Sequence, residues 1–114
     1  MAPIELTMER ILSLNPGVVS CILEIENGIP ENFLRAMSMA DRIGEAYEED
    51  EDELDMKSRI FFELALGYQG EILRKIKLSS GITYFDRITE IIADENAKIN
   101  LYLAIRRRAW QTEA

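Results

Sequence analysis

Apolar residues repeat at three- and four-residue steps along most of this chain, which is the spacing of one face of an α-helix. The two longest stripes lie in the C-terminal half, one at residues 54–78 and the other at residues 85–110. A Ser-Ser-Gly sequence at residues 79–81 is the strong break between them. We therefore predict two helices of about 26 residues, each roughly 39 Å long at 1.5 Å per residue. Because the connection is short, they are predicted to lie antiparallel.

The N-terminal half predicts shorter elements. Apolar positions at residues 4–14 have helical spacing, and an Asn-Pro-Gly sequence follows them. Residues 18–25 are almost continuously apolar, which fits either a buried helix or a buried strand. We favour a helix, because no other segment of the sequence offers a partner strand. A third helix is predicted to begin at Pro30.

These elements define the predicted fold class, which is all-α. Short helices at residues 1–47 precede a long antiparallel helical hairpin at residues 48–114, with an acidic start and a turn at residues 79–81. A chain of 114 residues has room for one core, so both parts are predicted to form one compact domain. No apolar run approaches the roughly 18 residues that a membrane span needs, so no membrane partner is predicted.

Charge is distributed unevenly along the chain. The formal net charge is −8, yet residues 57–114 carry ten basic and seven acidic residues. Residues 41–56 carry nine acids and the single base Arg42. In the predicted hairpin, the basic residues 106–108 lie beside this acidic start. Ion pairs worth about 0.2–1 kcal/mol each would then fix the register of the two helices.

The second long helix is too apolar for a simple two-helix hairpin. Its excess apolar flank predicts either that residues 1–47 fold back over the hairpin or that copies of the chain pack side by side. Glycines inside the first helix indicate a close backbone approach on that flank, because each costs about 1 kcal/mol in a helix. A homo-oligomer is therefore predicted, with the following candidate interface residues: Ile60, Gly67, Gly70, Leu73, Tyr84, Ile91, Leu101 and Ile105.

Histidine is absent from the sequence, and Cys21 is the only cysteine. Without histidine, neither a Ser–His nor a Cys–His nucleophile can form, and the commonest general base is missing. We therefore predict that the protein is not an enzyme and that it has no cofactor and no metal site. A single cysteine within an apolar run is typical of a core position, and it favours the reducing cytoplasm as the location, the host cytoplasm if the protein is viral.

Two carboxylate patterns keep a metal-dependent alternative open. Glu45 and Glu48 have the ExxE spacing with which helical nucleotide pyrophosphatases hold magnesium, and acids at positions 90, 94 and 95 could face them. The second pair of that pattern is spaced ExxD, whereas Glu90 and Asp94 are one residue further apart. The acidic run at residues 50–55 lacks the central glycine of a calcium loop.

Contacts to nucleic acid are also predicted from residue type. The helices around Gly28 loosely match a helix-turn-helix, in which Glu31, Asn32 and Arg35 would face the bases. Basic residues near the C-terminus could contact phosphates, and a nearby indole could stack on a base. The candidate contacts to DNA or to a partner protein are Arg35, Arg106, Arg107, Arg108 and Trp110.

Short N-terminal helices, an acidic connection and a long hairpin together resemble the small terminase subunits of tailed bacteriophages. The local likeness lies in Asp86-Arg87-Ile88-Thr89-Glu90-Ile91, continuing through Ala97-Lys98-Ile99-Asn100. The resemblance implies a ring built through the hairpin flanks and contacts to DNA or a motor subunit during viral DNA packaging. The hairpin also looks like phage recombination-mediator proteins. The alternative to both is a small acidic helical regulator or adaptor that binds a protein partner.

Overall fold

The computed structural model describes residues 7, 9–10, 13–30 and 50–113, with side chains described as far as residue 108. Its helices are α1 (Pro16–Gly28), α2 (Glu51–Tyr68), α3 (Gly70–Lys75), α4 (Tyr84–Ile91) and α5 (Glu95–Glu113). Within this described part the only extended pairing is an isolated bridge between Lys77 and Thr83. The predicted all-α class is confirmed. Of the helix predicted around residues 4–14, only residues 7, 9–10 and 13–14 are described, and of these 9–10 are helical. The helix predicted after Pro30, together with Arg35, falls outside the described residues.

Helix starts are set by polar side chains that accept hydrogen bonds from otherwise unpaired backbone amides. Asn15 Oδ1 accepts from the amide of Gly17 at 2.8 Å, and Pro16 supplies a favourable first residue. Asp50 caps α2 at 2.8 Å, and Thr83 caps α4 at 3.2 Å. α1 covers residues 18–25, which are therefore helical as predicted, and the Asn-Pro-Gly sequence begins this helix.

Neither long C-terminal segment forms one uninterrupted helix. Gln69, at φ −108° and ψ 7°, separates α2 from α3. Residues 92–94 separate α4 from α5, and Asp94 Oδ2 accepts from the amide of Ala97 at 2.8 Å. The chain still turns back, because α2 contacts α5 while α3 contacts α4. The predicted hairpin of two continuous helices is therefore not confirmed, since each limb consists of two helices.

The connection between the limbs is longer than the sequence pattern predicted. α3 ends at Lys75, and the amide of Tyr84 donates to the carbonyl of Ile76 at 3.0 Å. Between them the turn closes with a hydrogen bond of 2.9 Å from the amide of Gly81 to the carbonyl of Leu78. Gly81 has a φ of +88°, which a residue with a Cβ rarely adopts, and this explains the glycine in the turn.

α5 is the central element of the core. Every residue from 97 to 106 is buried, so the helix is covered on all sides. α2 contacts one part of α5, and α1 contacts both α5 and α4. Ile22 and Ile25 of α1 are 2% and 0% exposed. The apolar excess of the second limb is thus covered by the chain's own N-terminal helix, which was one of the two predicted arrangements.

Gly28 allows α1 to approach α4 closely. A Cβ at Gly28 would lie 1.8 Å from Tyr84 Oη and 3.2 Å from its Cζ. Because the Tyr84 ring is buried, it has little room to move away. We expect Gly28→Ala to lower the free energy of unfolding by about 1–3 kcal/mol in urea denaturation.

Gly67 provides the matched control for this substitution. It lies inside α2, and a Cβ built on it meets nothing within 4 Å. Gly67→Ala is therefore expected to raise the free energy of unfolding by about 0.5–1 kcal/mol, because alanine favours the helix. Changes of the same sign in the two variants would contradict the close approach at Gly28.

Candidate interaction surface

Most of the predicted interface residues lie inside a single chain. Side-chain exposure is 1% for Leu73, 4% for Tyr84, 6% for Ile91 and 0% for Leu101 and Ile105. Gly70 is also buried, beneath the Phe85 ring. Since the helices of the same chain cover these six residues, they form core and offer no surface to a second copy. Of the predicted set, Ile60 and Gly67 remain exposed.

A row of large apolar side chains stays exposed along α2 and α3. Its members follow one another at four-residue steps: Met56 (61% exposed), Ile60 (49%), Leu64 (53%), Tyr68 (83%) and Ile72 (52%). Each four-residue step turns about 40° around a helix, so successive members are neighbours on its surface and the row runs obliquely around the outer side. We call this set the exposed row. A contiguous exposed apolar patch marks an interaction site more often than scattered single residues do.

The exposed row is separate from the face of α2 that enters the core. Leu54, Ser58, Phe62 and Ala65 are the buried residues of this helix. The break at Gln69 does not interrupt the helical register, because its amide donates to the Ala65 carbonyl at 2.8 Å. The amide of Leu73 likewise donates to the Gln69 carbonyl at 3.0 Å. α2 and α3 together therefore present one apolar face inward and a second one outward.

Charged residues border the exposed row. Glu53, Glu63, Glu71 and Lys75 are all exposed. An apolar centre with a polar rim is the usual anatomy of a protein–protein interface.

The residues of the exposed row are visible in the sequence pattern, but the pattern did not predict that they form one exposed set. Tyr68 and Ile72 belong to the stripe predicted to face the second limb, and Met56 and Leu64 were not singled out. The four-residue repeat from 56 to 72 is itself visible in the sequence. An inner stripe with mixed three- and four-residue steps runs beside it, and only the packing shows which stripe is buried.

The structure places the C-terminal arginines differently from the prediction. The Arg107 guanidinium binds both carboxylate oxygens of Glu26 in α1, with nitrogen–oxygen distances of 2.7 and 2.8 Å. Arg106 is 2% exposed, and its guanidinium carbon lies 5.5 Å from the Tyr102 ring centroid. Arg108 is exposed, whereas Trp110 belongs to α5 but lies beyond the described side chains.

The acidic start of α2 forms an ion pair with a basic residue other than the predicted residues 106–108. Asp55 Oδ1 accepts a hydrogen bond from Lys98 Nζ at 2.7 Å, and Lys98 is 7% exposed in its side chain. The longer turn and the break at residues 92–94 shift the register of the second limb, so that Lys98 occupies the place predicted for residues 106–108. The hydrogen bond from Lys98 holds the pKa of Asp55 below its usual value, against the opposing effect of burial. This pair therefore fastens α2 to α5.

The pKa of Tyr84 is shifted upward, in contrast to that of Asp55. Burial of its ring against Gly28 raises the pKa of the hydroxyl, and the negative charge of Glu24 raises it further. The neutral phenol is thus the form that the α1–α4 contact favours.

An open cleft of about 800 Å³ lies between the start of α1 and the junction of α4 and α5. Cys21, Glu90 and Asp94 line it. Glu90 forms an ion pair with Arg87 at 3.1 Å, and Asp94 caps α5. No group of three acidic or cysteine residues in the described part of the chain could hold a metal ion. Glu45 and Glu48, the other half of the predicted magnesium site, lie outside the described residues.

Comparison of this chain with protein-family models, curated proteins and solved structures finds no match. None of the described helices has the length and apolar character that crossing a membrane requires. The candidate site therefore rests on the geometry of the chain itself.

Proposed function

We propose that this protein acts by binding, without catalysis, and that it assembles with copies of itself. The observation that carries this proposal is the exposed row on α2 and α3. Five large apolar side chains, each about half exposed or more, follow one another at four-residue steps with exposed charged residues beside them. Covering them with a partner would remove apolar surface from water, which favours association.

The more specific form of the proposal is a small-terminase-like subunit that assists viral DNA packaging. Its support is the resemblance of the sequence across α4 and α5. Among the described candidate contacts, Arg108 fits a role in DNA binding best on accessibility, because it is exposed whereas Arg106 is buried and Arg107 is only partly exposed. Copies would have to meet at least in part through the exposed row, because most of the predicted flank is core.

Light scattering coupled to size-exclusion chromatography tests the assembly. We expect the mass per particle to rise above 13.1 kDa as the protein concentration increases through the micromolar range. A mass that stays at one chain at millimolar concentration would remove the assembly and leave the small acidic regulator as the better hypothesis.

Retention on double-stranded DNA tests the packaging role. Each phosphate contact contributes to a linear fall of log K with log salt, so Arg108→Glu is expected to weaken retention and reduce the salt slope by about one. Lys77→Glu, an equal change of charge at an exposed turn residue, is the matched control. Equal effects of the two substitutions would indicate a response to net charge alone and would count against a contact at Arg108.

A further inference from the structure

The residues of the exposed row are spaced symmetrically in the sequence on either side of Leu64. If a second copy crosses it antiparallel, Leu64 faces its own counterpart and Ile60 lies beside Tyr68, with Met56 and Ile72 at the two ends of the contact. Each large side chain of the row then has an apolar partner. A contact between two copies of one patch is self-complementary in this way when it follows a two-fold axis.

The charged residues beside the row obey the same order. Glu53 and Lys75 each lie eleven positions from Leu64, so the antiparallel register brings opposite charges together at both ends. A parallel arrangement would instead set Glu53 against Glu53 and Lys75 against Lys75. Electrostatic complementarity therefore selects the antiparallel orientation.

We propose, on the basis of the proposed function, that the occupant of the exposed row is the exposed row of a second copy, packed antiparallel about an axis at Leu64. Such a contact closes at two copies, so any larger assembly requires a second surface. A single helical row is small compared with the interface area of about 1,200–2,000 Å² that is typical of stable complexes. The dimer is accordingly expected to be weak and concentration-dependent.

Site-directed crosslinking tests the register. In a Cys21→Ser background, Leu64→Cys should crosslink to itself with a short bifunctional thiol reagent, because the two copies meet at that position. Met56→Cys should not crosslink to itself, since its counterparts lie roughly 24 Å apart along the helices at 1.5 Å per residue. A mixture of Ile60→Cys and Tyr68→Cys chains should crosslink. Efficient self-crosslinking at residue 56 would overturn the antiparallel register.

Charge reversal gives an independent measurement of the same contact. Glu53→Lys and Lys75→Glu are each expected to weaken the dimer about fivefold, because each variant sets two like-charge contacts across the axis. The double variant should recover the original affinity. Glu63→Lys, an equal charge change on α2 away from these pairs, is the control. Failure of the double variant to recover would overturn the pairing.

Leu64→Asp separates failure of this inference from failure of the proposed function. We expect the variant to be monomeric at concentrations where the original chain is a dimer, with unchanged helix content in circular dichroism. A dimer that persists in Leu64→Asp would overturn the exposed row as the contact while leaving self-assembly intact. If the unsubstituted chain is monomeric, both the dimer contact and the proposed self-assembly are overturned. Slow thiol labelling of Leu64→Cys in that monomer would then show that another part of the same chain covers the exposed row.

Discussion

Truncation of Leu101 to alanine is expected to lower the free energy of unfolding by about 3 kcal/mol, whereas truncation of Leu64 should change it by less than about 0.5 kcal/mol. Leu101 is 0% exposed on α5, the helix that the rest of the fold surrounds. Removing its side chain leaves a cavity that packed neighbours fill only in part. Leu64 is 53% exposed, so its truncation leaves no cavity in the monomer.

Urea denaturation at a concentration where the chain is monomeric measures both changes. The comparison also decides between the two roles considered for Leu101. A core position loses stability at every protein concentration, whereas an interface position loses stability only where copies associate. A small effect of Leu101→Ala that grows with protein concentration would contradict the burial of α5 and restore Leu101 as an interface residue.

The helical class of this protein could be predicted from the sequence because its apolar spacing and its helix caps point to the same elements. Residues 18–25 were ambiguous by periodicity, and the cap at Asn15 with Pro16 behind it decides for a helix. The breaks at Gln69 and at residues 92–94 could not be predicted in the same way. The apolar pattern continues across both positions, while a local polar contact, such as the Asp94 cap, redirects the backbone.

Those breaks also determine which charges meet. A continuous hairpin would set Arg107 beside the acidic start of α2, but the observed limbs set Lys98 there and direct Arg107 to Glu26. Sequence spacing gave the wrong register for these two limbs, because the turn is longer than predicted and the second limb is broken at residues 92–94. The sequence therefore predicted the sign of each charged cluster, but it did not predict which residues of opposite charge would pair with it.

The sequence also could not predict which helix covers the excess apolar residues of the second limb. Composition indicated correctly that two helices could not bury all the apolar residues at positions 84–105. It could not decide between α1 and a second copy, because both would supply an apolar helix face. Packing gives α1 the α4–α5 surface, and the row at residues 56–72 remains exposed. The predicted self-assembly thus survives as a proposal on a different face.

Replacement of Arg107 by methionine is expected to lower the free energy of unfolding by about 2–3 kcal/mol. The Glu26 side chain is 8% exposed, and without the guanidinium its carboxylate stays buried with no cation beside it. Breaking a fully buried pair typically costs about 3–5 kcal/mol. Arg107 is itself 39% exposed, so water can reach the site and reduce that figure.

Substitution of the partner, Glu26, should lower the free energy of unfolding less, because the two side chains of the pair are not equally buried. Glu26→Leu leaves Arg107 free to turn toward solvent, and we expect a loss below about 1 kcal/mol. The double variant should resemble Glu26→Leu alone, since no unpaired carboxylate remains. Urea denaturation of the four proteins gives the coupling energy of the pair as a double-mutant cycle.

Arg59→Met is the control for loss of an arginine ion pair. Its side chain is 56% exposed and pairs with Asp55 at 3.0 Å, so its removal is expected to cost less than about 1 kcal/mol. If the effects of the Glu26 and Arg107 substitutions simply add, the pair contributes nothing beyond its separate side chains. A large coupling would instead show that residues 26 and 107, which lie 81 positions apart, fasten α1 over the core helix. The attachment of α1 covers the apolar surface of α4 and α5, so this cycle also measures what withholds that surface from a partner.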